Sequence, residues 1–224
     1  MPADPPSPLA PVRELLAKAE AKDATARDAE ALTAKSVGLL AHHGLDRVRL
    51  AEVDPEADLI TDLVIDLDNP WAAVKAHLLA HTAEALRCEA IEIGRSGPGT
   101  RMQLFGYASD IERAEVISAS LLIQMSQALA DQEVPATATG VRAWKRAWML
   151  GYATAAIGRI EAAEALAREE GDDGAELGIV LHQRAQAVRR RADEAYPNTR
   201  AMRESYTASS GYDSGYFHGG DAGT

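Results

Sequence analysis

The sequence has one cysteine, few aromatic residues and no long apolar run, and each shortage excludes a class of protein. Cys88 is the single cysteine, so no disulfide can form within the chain, which suits a reducing compartment. A membrane-spanning helix needs a run of about 18 apolar residues, and none is present. The proline-rich start also differs from a signal peptide. We therefore predict a cytoplasmic protein that does not associate with a membrane.

Aromatic residues make up 5% of the chain, whereas 46% of it is apolar, with alanine prominent. This composition favours closely packed helices over an aromatic-rich β-sandwich. The net charge of −11 argues against general binding to polyanions. Charge is nevertheless uneven along the chain, because an acidic stretch over residues 52–68 contrasts with a basic segment over residues 184–203.

Hydrophobic periodicity divides the chain into four parts. We predict a disordered start over residues 1–11, a helical hairpin over 12–53, an α+β domain over 54–204 and a Gly- and Tyr-rich tail over 205–224. The α+β domain is expected to be helix-rich, with a small three- or four-stranded sheet packed by helices. The N-terminal helical hairpin that precedes it either caps this domain or stands apart as a mobile module.

Local signals place several boundaries within these parts. Gly44 occupies the position of a helix C-cap, and Asn69-Pro70 that of a helix start. Residues 109–112 match a capping box, and residues 177–181 are predicted to form a short strand. Composition predicts a flexible tail; the alternative is a helix whose glycines, spaced four residues apart, dock against the body.

Several segments resemble a known family. VRELLAKAE precedes DAEALTAKSVGLLAHHGLD, in which Glu30-Ala31 and Leu39–Leu45 match the helical hairpin of domain of unknown function 2786. LRCEAIEI, LFGYASDIERAEVISASLLIQ and RAWKRAWMLGYA are similar to the α/β region that usually follows this hairpin in bacterial and phage proteins. The resemblance implies the same fold and no established activity.

One predicted helix carries a candidate metal site. His77, His81, Glu84 and Cys88 recur at helical spacing and share one stripe. Two histidines four residues apart can bind one divalent transition metal, and Glu84 or Cys88 could assist. The zincin pattern requires glutamate after the first histidine, however, and Leu78 stands there. A structural role at the border of a core face is the alternative.

The basic segment near the C-terminus is a candidate nucleic-acid site. Arg184, Arg189, Arg190 and Arg191 could contact phosphates. Stacking of bases on aromatic side chains would add to such a site.

Trp144 and Trp148 lie one helical turn apart among cations and could provide that stacking. A buried helix face explains the two tryptophans better, because tryptophan is costly to leave exposed.

No Walker loop, dinucleotide-binding glycine pattern or Gly-x-Ser-x-Gly elbow is present. The absence of a complete catalytic motif favours a non-catalytic binding or adaptor protein in phage or plasmid nucleic-acid metabolism, with a protein or a nucleic acid as its partner. The alternative is a metal-dependent hydrolase that uses the stripe of His77 and His81. The sequence thus leaves two classes of function open, and self-association through the glycine-rich tail over residues 205–224 is a third possibility.

Overall fold

The computed structural model of the chain describes residues 8–171, 173–199 and 210–220. Within them, seven α-helices and one short 3-10 helix surround a three-stranded sheet, which confirms the predicted helix-rich α+β class. Of the predicted disordered start, residues 1–7 lie outside the described residues, and the first helix begins at Ala10.

The elements follow one another with short connections. The helices are α1 Ala10–Ala19, α2 Ala26–Val53, α3 Ala72–Ala85, α4 Ala108–Ala130, α5 Val141–Glu169, α6 Gly174–Ala195 and α7 Ser210–Gly220. The strands are β1 Ile60–Leu67, β2 Glu89–Gly94 and β3 Thr100–Tyr107, and the 3-10 helix is Pro55–Ala57. No described helix combines the length and the apolar composition needed to cross a membrane.

The sheet is antiparallel, and β3 lies between β1 and β2. β1 and β3 pair without interruption, from Ile60 opposite Tyr107 to Leu67 opposite Thr100. The β2–β3 ladder instead has a register shift between Glu92 and Gly94. β1 is therefore a regular edge strand, whereas β2 is an irregular one.

The two faces of the sheet meet different helices. Leu67, with Leu63 and Ile65 beside it, packs against the α3 side chains of Ala76 and Leu79. The opposite face is covered in part by α6. Its cluster contains Phe105, Val188 and Ala192, with Ile60, Ile91, Tyr107 and Tyr196 packed against them. The sheet thus has one face that α3 covers more completely, with Leu63 and Ile65 half-buried, and one face that α6 leaves partly open.

The N-terminal hairpin belongs to the main core. Leu16 of α1 and Leu40 of α2 are buried in one cluster with Ile117 of α4 and Trp148 of α5. Because these side chains share one apolar interior, burial of the hairpin is coupled to burial of α4 and α5. The alternative of a hairpin that stands apart is therefore wrong.

The predicted end of α2 at Gly44 and the predicted strand over residues 177–181 are wrong for the same reason. α2 continues to Val53, and Leu45 and Val48 on its second half are buried. They pack against Leu177 and Leu181 of α6, whose four-residue spacing is that of a helix. The apolar contact between the two segments extends both helices beyond what their local signals predict.

Part of the tail that was predicted to be flexible is helical. Residues 210–220 form α7, which lies on the surface of α5. Three buried glycines face α5, and they are Gly211, Gly215 and Gly219. A Cβ on Gly215 would lie 1.9 Å from the carbonyl oxygen of Trp148, so the missing side chains permit direct backbone contact. The other tail residues, 205–209 and 221–224, lie outside the described residues.

The tryptophans of α5 lie in the interior. Trp144 is 6% exposed and Trp148 is completely buried, as the core interpretation predicts. Gly151, on the same helix, lies against the backbone of α7, where a Cβ would come within 2.1 Å of the Tyr212 oxygen. A nucleic-acid base therefore has no access to either indole ring.

Candidate binding cleft

A cleft of about 540 Å³ opens between the end of α2, the 3-10 helix, the start of β1, the end of β3 and α6. Its volume falls in the range of about 300–1,000 Å³ that is typical of ligand sites. The apolar lining residues are Val48, Ala51, Pro55, Leu59, Ile60 and Val180, and Tyr107 lies among them. The charged lining residues are Glu52, Asp58 and Arg184. We call this site the α2–α6 cleft.

Arg184 and Asp58 form the polar floor of the α2–α6 cleft. Nη2 of Arg184 is paired with Oδ2 of Asp58, and the two side chains are 8% and 0% exposed. The guanidinium carbon lies 3.4 Å from the centroid of the Tyr107 ring, which it covers. Charge pairing on one side and cation–π stacking on the other hold the guanidinium in one orientation.

Asp58 also caps helix α4. The backbone N–H of Ser109 donates to Oδ1 at 3.0 Å, and the Ser109 hydroxyl donates to Oδ2 at 2.8 Å. A carboxylate at a helix N-terminus satisfies free N–H groups and is favoured by the helix dipole. The capping box predicted over residues 109–112 is therefore wrong, because the Ser109 hydroxyl is engaged by Asp58 from outside the helix.

The floor of the cleft continues into a buried ion network of three arginines and three carboxylates. Its members are Arg87, Arg113, Arg184, Asp58, Asp110 and Glu164. Asp110 links its two parts, because Oδ1 lies 2.8 Å from Arg113 Nη1 and Oδ2 lies 4.0 Å from Arg184 Nη2. With three charges of each sign, the buried ion network is neutral as a whole.

Arg87, two residues after the end of α3, belongs to this network. Its Nη1 lies 2.6 Å from Glu164 Oε2, and its Nη2 lies 3.0 Å from Asp110 Oδ1. Burial by itself would lower the pKa of Arg87, but the two carboxylates outweigh burial and raise this pKa above its ordinary value. Arg87 therefore stays charged and acts as a structural cation.

The charged side chains that line the α2–α6 cleft set which ligands it can hold. Arg184 and Asp58 neutralise one another, and Glu52 adds a second carboxylate. Two carboxylates against one guanidinium leave the lining acidic, which favours a neutral or basic ligand.

The structure brings together part of the predicted metal site. The rings of His77 and His81 are 4.5 Å apart between centroids, and Glu84 Oε2 lies 3.2 Å from His81 Nδ1. Cys88 is instead buried in the core beside Gly106, and burial raises the pKa of its thiol. Over the described ranges, no group of three or more His, Cys, Asp or Glu side chains could hold a metal ion.

The structure separates the four arginines that were predicted to bind nucleic acid. Arg184 lies in the cleft floor, where burial and its pairing with Asp58 keep it from a phosphate backbone. The structure therefore removes Arg184 from the predicted nucleic-acid site. Arg189 is exposed, and its Nε lies 2.9 Å from Glu89 Oε1.

Arg190 and Arg191 are both exposed on α6. The guanidinium carbon of Arg191 lies 5.9 Å from the centroid of the Phe105 ring. These two residues keep the nucleic-acid prediction open, although they offer fewer cations than the sequence suggests.

Sequence reasoning missed the cleft, although it noted most of its charged residues in another context. Asp58 belongs to the predicted acidic stretch and Arg184 to the predicted basic segment, and they are 126 residues apart. The opposite charges of the two segments were the available signal that they could meet. The signal did not identify which carboxylate would pair with which arginine.

Comparison of this chain with family models, with curated proteins and with solved structures finds no match. The resemblance to the hairpin of domain of unknown function 2786 therefore stays a prediction.

Proposed function

We propose that this chain is a non-catalytic binding protein, an adaptor, whose α2–α6 cleft receives an apolar segment of a partner protein. The observation that carries the proposal is the apolar wall around a floor whose charged groups are already paired. A fixed and neutralised floor gives shape and hydrogen-bonding specificity without a reactive group. The partner's apolar side chains would supply the binding free energy by leaving water.

Two exposed apolar side chains support this proposal. Leu59 lines the cleft and is 55% exposed, and Val53, which follows the lining residue Glu52 at the end of α2, is 87% exposed. Exposed apolar side chains with polar surroundings are typical of a protein interaction site. Glu52 and the neighbouring acidic residues supply such surroundings.

The test is selection of binding peptides from a random linear library on the folded protein. One selected peptide is then titrated against wild type, Ala51→Trp, which fills the cleft, and Leu166→Trp. Leu166 is 59% exposed on α5 and serves as the matched control. We expect Ala51→Trp to weaken binding about tenfold or more and the control to bind as wild type. Equal binding to both variants, each folded by circular dichroism, would contradict the proposal.

The paired imidazoles of α3 support a second candidate, a metal-dependent hydrolase. In many metal sites a carboxylate accepts from the second ring nitrogen of a ligating histidine, and Glu84 is placed to do this for His81. Elemental analysis of the untagged protein and of His77→Ala/His81→Ala tests it. Stoichiometric transition metal that the double variant loses would favour the hydrolase, and equal metal content in both proteins would remove it.

A role for the adaptor in phage or plasmid nucleic-acid metabolism would use Arg190 and Arg191. The test is titration of DNA and RNA oligonucleotides at low salt with wild type and Arg190→Ala/Arg191→Ala. Phosphate contacts weaken steeply with salt, so binding that both salt and the substitution abolish would support this role. Unchanged binding in the double variant would exclude it.

A further inference from the structure

The outer edge of β1 is open in the described part of the chain. The order of strands is β1-β3-β2, so β1 pairs with β3 along one edge and with no described strand along the other. Proteins usually protect long edge strands by bulges, prolines or lysines. β2 has such an irregularity, whereas the eight residues of β1 contain no proline or lysine and pair in uninterrupted register. β1 thus lacks a bulge, a proline and a lysine, and its only charged side chains, Asp62 and Asp66, leave the edge open to a partner of opposite charge.

The hydrogen-bond pattern shows which residues serve this open edge. The N–H of Ala108 donates to the carbonyl of Leu59, in line with the β1–β3 register. Because bonded and non-bonded pairs alternate in an antiparallel ladder, the odd-numbered residues from Leu59 to Leu67 direct their backbone groups towards β3. The even-numbered residues direct theirs outwards, and they are Ile60, Asp62, Val64 and Asp66.

The same four residues place their side chains on the partly open face of the sheet, and two of them, Asp62 and Asp66, are acidic. Asp66 is neutralised by Arg101, with distances of 2.6 and 2.7 Å between the paired atoms. Asp62 accepts instead from the neutral amide of Gln103 at 2.7 Å and forms no ion pair within the described ranges; Arg191 of α6 lies on this face, over the ring of the opposite residue Phe105. Glu52 and Glu56, near the start of β1, are also exposed. A partner along this edge therefore gains from basic side chains.

We infer that the partner of this chain is an extended segment of alternating basic and apolar residues, which adds to the outer edge of β1 as a fourth strand. The inference rests on the proposed function, because Ile60 belongs to both β1 and the α2–α6 cleft, and Leu59, which also lines the cleft, directly precedes β1. One end of the added strand seats in the cleft. Its basic side chains lie beside Asp62, and its apolar side chains lie beside Leu63 and Ile65, which are half-buried on the other face.

A second copy of this chain fits the edge less well. An antiparallel β1–β1 pair centred on Val64 sets Asp62 of one copy opposite Asp66 of the other. Like charges directly opposite one another destabilise a strand pair. A net charge of −11 on each chain adds to the repulsion. A basic segment of a different protein meets neither obstacle.

The experiment uses a synthetic peptide of alternating lysine and valine, about ten residues long, and a counterpart of alternating glutamate and valine. Each is titrated by fluorescence anisotropy against the full chain and against Val64→Pro, Val64→Thr and Ala51→Trp. Val64 is 48% exposed and its N–H points outwards, so proline there blocks strand addition and leaves the β1–β3 ladder intact. Threonine at the same position retains the N–H and is the matched control.

We expect the lysine peptide to bind the full chain and Val64→Thr, to lose about tenfold or more in affinity with Val64→Pro, and to exceed the glutamate peptide. A lysine peptide that is N-methylated at alternate residues should also lose binding, which tests strand addition without altering the protein. If Val64→Pro and the methylated peptide leave binding unchanged while Ala51→Trp loses it, strand addition is overturned and the cleft proposal stands. The inference is also overturned if no variant and no methylated peptide loses binding. The same holds if the glutamate peptide binds as well as the lysine peptide, or if the lysine peptide does not bind.

Discussion

The backbone of Gly44 in α2 lies directly against the guanidinium of Arg113 in α4. A Cβ built on Gly44 would lie 1.8 Å from Nη1 of that arginine. Arg113 is completely buried and is paired with Asp110 at 2.8 Å. The absence of a side chain at Gly44 therefore makes room for a buried cation at the centre of the ion network.

Gly44→Ala is expected to destabilise the protein. The added methyl group must displace the guanidinium, and overpacking of this kind costs about 1–3 kcal/mol, with further loss if the pair with Asp110 is broken. Gly38→Ala is the matched control on α2, because a Cβ there meets nothing within 4 Å. The control should gain up to about 1 kcal/mol from helix propensity. Urea unfolding measures both values, and a Gly44→Ala protein as stable as Gly38→Ala would contradict the prediction.

Glu164→Gln should lower the free energy of unfolding by about 3 kcal/mol. Glu164 is paired with both Arg87 and Arg113, and its side chain is 10% exposed. Removing one charge from a buried network leaves an uncompensated cation in the interior. Glu161→Gln, at an exposed position of the same helix, should change stability by less than about 0.5 kcal/mol. Similar urea midpoints for the two variants would show that the network is not energetically coupled.

The sequence predicts the helices of this fold better than its polar interior. Helix α5 and its buried face are predictable from the sequence, because Trp144 and Trp148 lie one helical turn apart and are costly to expose. The contact between Asp58 and Ser109 spans 51 residues, and no local spacing indicates it. Gly44 was predicted to be a C-cap because the sequence does not show that Arg113 occupies the space beside it in the interior of α2. The missed features are long-range pairings, polar in the ion network and apolar where α2 meets α6, whose partners are set by tertiary structure.

Stability is expected to fall as the pH is lowered from about 7 to 5, and His43 is one cause. Partial burial lowers the pKa of His43 below its usual value of 6.5, and the charge of Arg113 lowers it further. Between the two pKa values the unfolded chain binds a proton that the folded chain does not, so this contribution to stability is complete above about pH 6.5 and is lost below it. The pH dependence of urea unfolding should be weaker in His43→Gln. His182→Gln, at an exposed position, should retain the wild-type slope.

Gly215→Ala should release α7 from α5. Its Cβ would lie 1.9 Å from the Trp148 carbonyl oxygen, and backbone on both sides leaves no flexible side chain to move away. Hydrogen exchange should show faster amide exchange over residues 210–220, and the near-ultraviolet circular dichroism of Trp148 should change, because the packing around its ring is altered. At Gly220 a Cβ would meet the Ala155 Cβ at 3.5 Å, an ordinary contact, so Gly220→Ala should keep the protection of wild type. Alanine is favoured over glycine in a helix interior, so propensity alone would stabilise α7 in Gly215→Ala, and faster exchange in that variant reports the lost backbone contact with α5. Equal protection in the two variants would mean that α7 is held by its tyrosine side chains rather than by its glycine face.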